Sequence, residues 1–163
     1  MLTDYVVIDL EMTGLNAKTD RILEAGAARV RGNVVTATFS EIINPKRELS
    51  EKVISLTGIT NEMAVQGKEM DATLMAFLDF IGEDILVGQN VIFDYSFLKQ
   101  WAVNHKRTFE RNAVDTLKLA RKFLPQEQKK DLASLCSYFG IERVHAHRAL
   151  AVSYTHLTLP TIL

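Results

Sequence analysis

The chain has 163 residues, of which 47% are hydrophobic and 24% are charged, a composition typical of one globular domain with a single core. Its 19 Lys and Arg residues against 20 Asp and Glu residues give a formal net charge of −1. That balance excludes binding of nucleic acid or an anionic membrane through a bulk positive field. A polyanionic partner must therefore be held at a local site.

The N-terminal segment and the cysteine content predict a cytoplasmic protein. Asp4, Asp9 and Glu11 interrupt the apolar stretch that a signal peptide would need. Cys136 is the single cysteine and cannot form an intrachain disulfide. No apolar run approaches the roughly 18 to 20 residues that span a bilayer, so we expect no membrane partner.

The predicted elements change in kind along the chain. Residues 4–11, 22–30 and 34–43 are rich in β-branched residues and predict three consecutive strands, with a hairpin turn at Arg31-Gly32-Asn33 between the last two. Helical spacing follows in residues 70–81, 95–104, 116–124 and 132–139, with a brief strand at 85–87. This order predicts an α/β fold with a mixed sheet.

Two carboxylates lie at the end of the first predicted strand. Asp9 and Glu11 are two positions apart, so both side chains leave the same face of the sheet, while Ile8 and Leu10 face the other way. Neighbouring carboxylates repel each other unless a cation or proton lies between them. Hard oxygen ligands favour Mg²⁺ or Mn²⁺ over zinc. The alternative is a pair of solvated strand-end carboxylates.

Two further polar clusters follow in chain order. GQNVIFD at residues 88–94 comes directly after the brief strand, and HAHRAL at residues 145–150 precedes a terminal helix. Taken alone, Asp94 is explained as a helix cap, and His145 or His147 as a surface residue. The significance lies in the order of Asp-x-Glu, Asn-x-x-x-Asp and His.

These three motifs resemble those of the DnaQ-like exonucleases, whose active site contains Asp, Glu, Asp, His and Asp. IDLEMTGL resembles the first motif, GQNVIFDYSFL the second, and HRAL the start of the third. The similarity extends from about residue 4 to 151 and is greatest to the proofreading exonuclease region of the Gram-positive replicative DNA polymerase III and its stand-alone relatives. It implies a ribonuclease H-like fold, in which a five-stranded sheet combines a three-stranded antiparallel meander with two parallel strands.

The resemblance also implies roles for individual residues. Asp9 would bridge two divalent cations, Mg²⁺ or Mn²⁺, Glu11 would bind one of them, and Asp94 would complete the second site. His147 would be the general base, and His145 is the weaker candidate because the His-x-Ala spacing of the family is matched by His147. Two cations about 3.5 to 4 Å apart can stabilise the attacking and leaving oxygens of phosphodiester hydrolysis.

A second group of residues would bind the substrate. Met12, Thr13 and Gly14 follow the carboxylates in the turn that receives the 3′ end in such enzymes. Leu15 would wedge against the terminal base, with a position tucked into the core as the equal alternative. Asn90 would hydrogen-bond near the scissile end, although an Asn after a strand is often only a turn former.

The third motif departs from the family at Val152. The family has an aspartate five positions after the histidine, and this chain has valine there. From Val152 onward the sequence VSYTHLTLPTIL contains no Lys, Arg, Asp or Glu and is interrupted by Pro160. We therefore expect an exonuclease domain at residues 1–151 and an atypical, non-native tail at residues 152–163.

The sequence thus predicts a metal-dependent 3′–5′ exonuclease that acts on single-stranded DNA in proofreading or repair, with a DNA polymerase as a candidate partner. Short RNA is the alternative substrate, because Met12 resembles the oligoribonuclease branch. A hypothesis from another class is a catalytically impaired nucleic-acid-binding module, motivated by Val152.

Overall fold

A mixed five-stranded sheet forms the centre of the computed structural model, which describes residues 2–140. The strands are β1 Tyr5–Met12, β2 Ile22–Arg31, β3 Val34–Ile42, β4 Leu86–Gly88 and β5 Ala113–Asp115. Their order is β3-β2-β1-β4-β5. β1, β2 and β3 pair antiparallel, whereas β4 pairs parallel to both β1 and β5. The predicted fold class is confirmed.

Six helices flank this sheet in the part of the chain that the structure describes: α1 Glu51–Thr57, α2 Asn61–Val65, α3 Met70–Ile81, α4 Ile92–Asn104, α5 Thr116–Phe123 and α6 Leu132–Phe139. The predicted bounds of α3 and α6 are confirmed. α4 begins three residues earlier than the apolar pattern predicts. None of the described helices is long and apolar enough to cross a membrane.

The turn between β2 and β3 fixes the antiparallel meander. Gly32 and Asn33 both have positive φ, 56° and 64°, which is the backbone that a two-residue type I′ hairpin requires. Glycine and asparagine adopt this conformation at the lowest cost. The predicted hairpin is therefore confirmed at these two residues.

The alternation along β1 separates the core from the carboxylates. Val6, Ile8 and Leu10 are buried in the main core cluster, which also contains side chains of α3 and α4. Since successive side chains point to opposite faces, Asp9 and Glu11 leave β1 on the other face. β1 lies between an antiparallel and a parallel neighbour, so the carboxyl ends of β1 and β4 lie side by side at the place where the sheet changes direction. This is where open α/β sheets form their binding crevices.

Candidate active site

Three of the predicted metal ligands converge at the ends of β1 and β4. Asp9 and Glu11 are near the end of β1, and Asp94 is in the first turn of α4, which follows β4. The backbone N–H of Leu10, between the two β1 carboxylates, donates to Asp94 Oδ1 at 2.9 Å. This bond joins positions 84 residues apart in the sequence. It fixes Asp94 beside the strand that carries Asp9 and Glu11.

The electrostatics of this group favour protonation or an added positive charge. Burial, followed by repulsion from Asp94 and Glu11, raises the pKa of Asp9 well above its ordinary value. Burial, followed by repulsion from Glu24 and Asp94, raises the pKa of Glu11 to about 8. Burial also raises the pKa of Asp94, against the lowering effect of the hydrogen bond from Leu10. A cation between the carboxylates would relieve this repulsion.

The donor set fits hard divalent cations. It consists of carboxylate oxygens, which suit Mg²⁺ and Mn²⁺. The three carboxylate groups repel one another at one end of the sheet. Within residues 2–140, no three His, Cys, Asp or Glu side chains are already gathered into a ligand set. Binding of an ion would therefore draw these carboxylates closer together, and the metal assignment stays a prediction.

Glu24 is a fourth carboxylate at this site that the sequence analysis did not identify. It is fully buried in β2 and stands directly opposite Glu11 in the β1–β2 ladder. Its charge contributes to the raised pKa values of both Glu11 and Asp9. A glutamate inside the otherwise apolar segment ILEAGAA was the available signal, because charged residues are rarely buried without a reason.

The predicted substrate turn is held by its own polar contacts. Thr13 Oγ1 donates to Asp20 Oδ1 at 3.3 Å and accepts from the backbone N–H of Arg21 at 3.0 Å. A β-carbon at Gly14 would collide with the Asp20 carboxylate. The close approach at Gly14 thus comes from Asp20 of the same turn, a residue that the sequence analysis did not identify.

The two hydrophobic residues of this turn behave differently. Leu15 is 69% exposed, so its alternative position in the core is wrong, and the side chain is available to a ligand. Met12 is partly buried and packs against the main core. Its predicted contact with substrate stays a prediction, but part of the side chain serves the core.

Asn90 lies in the loop between β4 and α4. Its φ of 57° is positive, as expected for an Asn that forms a turn, and its backbone N–H donates to Asp115 Oδ1 at 2.9 Å. The structure therefore places Asn90 four positions before Asp94 in a constrained loop. Its contact with substrate stays a prediction.

The third motif lies outside the described residues. His145, His147 and Val152 follow Gly140, where the description ends. The general-base role of His147, the missing aspartate at position 152 and the boundary at residue 151 remain predictions.

Comparisons with known proteins identify the family. The family model RNase_T, described as Exonuclease, matches residues 6–151. The chain is 37% identical to DNA polymerase III subunit epsilon of Aquifex aeolicus over 147 residues, 90% of this chain and 73% of that protein. It is 38% identical over 151 residues to DNA polymerase III PolC-type of Bacillus subtilis, 90% of this chain but only 10% of that much longer protein.

A solved structure has the same fold. Exonuclease I of E. coli in complex with a dA16 oligonucleotide superposes with a TM-score of 0.82 at 18% identity, covering 97% of this chain and 40% of that one. The family match and the relatives confirm the resemblance seen in the three motifs. The chain belongs to the exonuclease family that these relatives represent.

Proposed function

We propose that the chain is a metal-dependent exonuclease that hydrolyses phosphodiester bonds from the 3′ end of single-stranded DNA. The observation that carries this proposal is the convergence of Asp9, Glu11 and Asp94 at the ends of β1 and β4 in a chain of the exonuclease family. The family is generally dependent on divalent metal ions.

The residues of this chain would divide the work as follows. Asp9, Glu11 and Asp94 would hold two divalent cations, which when bound supply Lewis-acid stabilisation of the attacking and leaving oxygens. His147 would take the proton of the attacking water at a ring nitrogen, a role that suits a pKa near neutral. The exposed Leu15 side chain would pack against the terminal base, a contact that tolerates any sequence.

The names of the relatives and the ligand of the structural neighbour favour DNA as the substrate. The Aquifex aeolicus relative is named as a subunit of DNA polymerase III and the Bacillus subtilis relative as a PolC-type DNA polymerase III, and the structural neighbour is in complex with a DNA oligonucleotide. A replicative DNA polymerase is accordingly the proposed partner, and proofreading the proposed role. Short RNA and the impaired binding module are outcomes that the following experiment distinguishes.

The test compares three forms of the full chain: the unchanged sequence, Val152→Asp, and a form in which residues 152–163 are replaced by an amphipathic helix beginning with Asp. Each is incubated with 5′-labelled single-stranded DNA or RNA in Mg²⁺, Mn²⁺ or chelator. We expect metal-dependent shortening from the 3′ end of DNA in the rebuilt form, little in the unchanged chain, and an intermediate rate for Val152→Asp, because a ligand must be aimed to within about 0.5 Å.

Other outcomes would each revise a different part of the proposal. Preferential shortening of RNA would overturn the DNA assignment. Binding without shortening in all three forms would favour the binding module. Full activity of the unchanged chain in Mg²⁺ would show that another group replaces the aspartate missing at position 152.

The general base is tested in the rebuilt form with a matched pair of substitutions. His147→Ala should slow hydrolysis by roughly 10² to 10⁴, the range for loss of a positioned base, while binding of the DNA end is retained. His145→Ala should have a much smaller effect. The reverse ranking would show that His145, two residues earlier, is the histidine of the third motif.

A further inference from the structure

Asp115 is buried between helix α5 and the loop that connects β4 to α4. It is the last residue of β5 and the N-cap of α5, and only 9% of it is exposed. Its Oδ1 accepts from the backbone N–H of Leu117 at 2.9 Å and of Lys118 at 3.4 Å. The same oxygen accepts from the backbone N–H of Asn90 at 2.9 Å. One carboxylate oxygen thus serves two elements at once.

The Asn90 contact adjoins a helix start that has no side-chain cap. The N-cap position of α4 is Val91, which makes no side-chain capping hydrogen bond. Asn90, immediately before it, has positive φ, a conformation that asparagine adopts more readily than most other residues. The hydrogen bond from the Asn90 N–H to Asp115 Oδ1 holds this residue in place immediately before the helix start.

The same loop is fixed on its other side by Gln89 and Thr116. Gln89 Nε2 donates to the Lys130 carbonyl at 2.8 Å, and Thr116 Oγ1 donates to Gln89 Oε1 at 2.6 Å. A β-carbon at Gly88 would approach the Ile8 carbonyl and Val91 to 3.0 Å. Little space remains for the loop to move between β1 and α4, so its position is set by these few contacts.

The loop is the direct connection from β4 to Asp94. Residues 88–91 lead into α4, Asp94 lies in its first turn, and the Asp94 carboxylate accepts from the Leu10 N–H at 2.9 Å. A change in the start of α4 would displace Asp94 relative to β1. The Leu10 hydrogen bond is therefore a local reporter of where Asp94 is held.

We propose that Asp115 is a positioning residue for the exonuclease reaction: through Asn90 it fixes the start of α4 and so holds Asp94 beside Asp9 and Glu11. This inference rests on the function proposed above, but its structural content can be tested without metal or substrate. Capping of α5 alone would explain the bonds to Leu117 and Lys118 but not the bond to Asn90.

The experiment measures amide hydrogen exchange at Asn90 and Leu10 in the full chain by NMR, with chelator present. Asp115→Ala should speed exchange at both amides by about tenfold or more, the effect of losing a hydrogen bond to a charged group. Asp115→Asn keeps an oxygen acceptor of the same shape and should restore most of the protection. Rescue by asparagine would show that the hydrogen bond to the loop is what matters.

Glu69→Ala is the matched control. Glu69 is the exposed N-cap of α3, and its carboxylate accepts from the backbone N–H of Ala72 at 2.8 Å. Its removal also deletes a carboxylate cap, but we expect no change in exchange at Asn90 or Leu10 beyond that due to global stability.

Two results would overturn the proposal. Faster exchange at Leu117 and Lys118 alone would reduce Asp115 to a cap of α5, and unchanged exchange at Leu10 would show that the loop does not hold Asp94. Failure of the exonuclease function would appear instead in the nuclease assay of the rebuilt form, so the two failures are distinguishable.

Discussion

Two regions of the molecule place carboxylates in opposite electrostatic situations. At the contact between α3 and α4, Trp101 Nε1 donates to Asp71 Oδ1 at 2.9 Å, and His105 Nε2 lies 3.1 Å from the same oxygen. The hydrogen bond from Trp101 lowers the pKa of Asp71, and the hydrogen bond to the Trp101 carbonyl raises the pKa of His105. Both shifts favour the charged pair.

The candidate active site shows the reverse. Burial and mutual repulsion raise the pKa values of Asp9, Glu11 and Asp94, and none of the five ion pairs described within residues 2–140 includes any of them. At the α3–α4 contact the protein itself stabilises the negative charge. At the site no such partner is found among the described residues, which lowers the stability of the ion-free fold; the proposed cations would supply the missing positive charge.

The largest expected effect is on cation binding. Asp9→Asn keeps the shape of the side chain but removes the charge proposed to be shared by both ions, so affinity for Mn²⁺ should fall by at least about 10- to 100-fold, the loss that removing even an outer-shell partner of a metal ligand causes. Isothermal titration calorimetry of the full chain measures it. Asp71→Asn is the control and should leave the affinity unchanged; equal losses in both variants would contradict the site.

The same chemical substitution should have opposite effects on stability in the two regions. With chelator at pH 8, Asp94→Asn should raise the free energy of unfolding by on the order of 2 kcal/mol, because it removes a buried, repelled charge and retains an acceptor for Leu10. Asp71→Asn should lower it by less than about 1 kcal/mol, since 54% of the Asp71 side chain is exposed. Urea denaturation checks both signs, and a loss of stability in Asp94→Asn would contradict the comparison.

The raised pKa of Glu11 predicts how stability and cation affinity change with pH. The folded, ion-free chain holds a proton on Glu11 up to about pH 8, whereas the ordinary pKa is 4.5. Since the folded state then binds more protons than the unfolded state, stability in chelator should fall as the pH rises from about 4.5 to about 8. Affinity for Mn²⁺ should rise over the upper part of this range, by up to about tenfold per pH unit, because binding must displace the proton.

Glu11→Gln provides the control for this pH dependence. It should flatten the fall of stability with pH in denaturation curves recorded between pH 5 and pH 9. A slope that persists undiminished in this variant would assign the proton to another group.

A further effect, on stability alone, is expected at the α3–α4 contact. Trp101→Phe removes the Nε1–H donor to Asp71 but keeps an aromatic ring next to His105, whose ring centre lies 4.2 Å from that of Trp101. The loss should be about 1 to 2 kcal/mol, measured by urea denaturation. Cation affinity should not change, and a parallel loss of Mn²⁺ binding would show that the two regions are coupled.

The parts of the fold that the sequence predicted are those with strong local signals. The 12-residue helix α3 has a clear apolar stripe, and the Gly32-Asn33 turn has few alternatives. Helices α1 and α2, of seven and five residues, carry too short a pattern to be seen, and such short helices depend on capping and tertiary contacts. Their N-caps are Ser50 and Thr60.

At the site, the residues that the sequence did not predict were missed for a different reason. The proximity of Asp9, Glu11 and Asp94 could be predicted because their motifs are short and follow one another in the order seen in a known family, whereas their role as ligands stays a prediction. Glu24 and Asp115 act across strands, through the register opposite Glu11 and a bond to Asn90 25 residues away. Neither partner follows from local periodicity, because the register depends on the whole sheet.

The position of Leu10 affects the order in which parts of the protein unfold on heating. Its side chain is buried in the main core while its backbone N–H holds Asp94. The carboxylates are therefore attached to the central strand of the sheet, the kind of core element whose amide hydrogens exchange last. The carboxylate geometry should then persist until the domain melts cooperatively. The turn around Leu15 is exposed and is held by polar contacts of its own, so the proposed capture of the DNA end should weaken at lower temperatures than cation binding does.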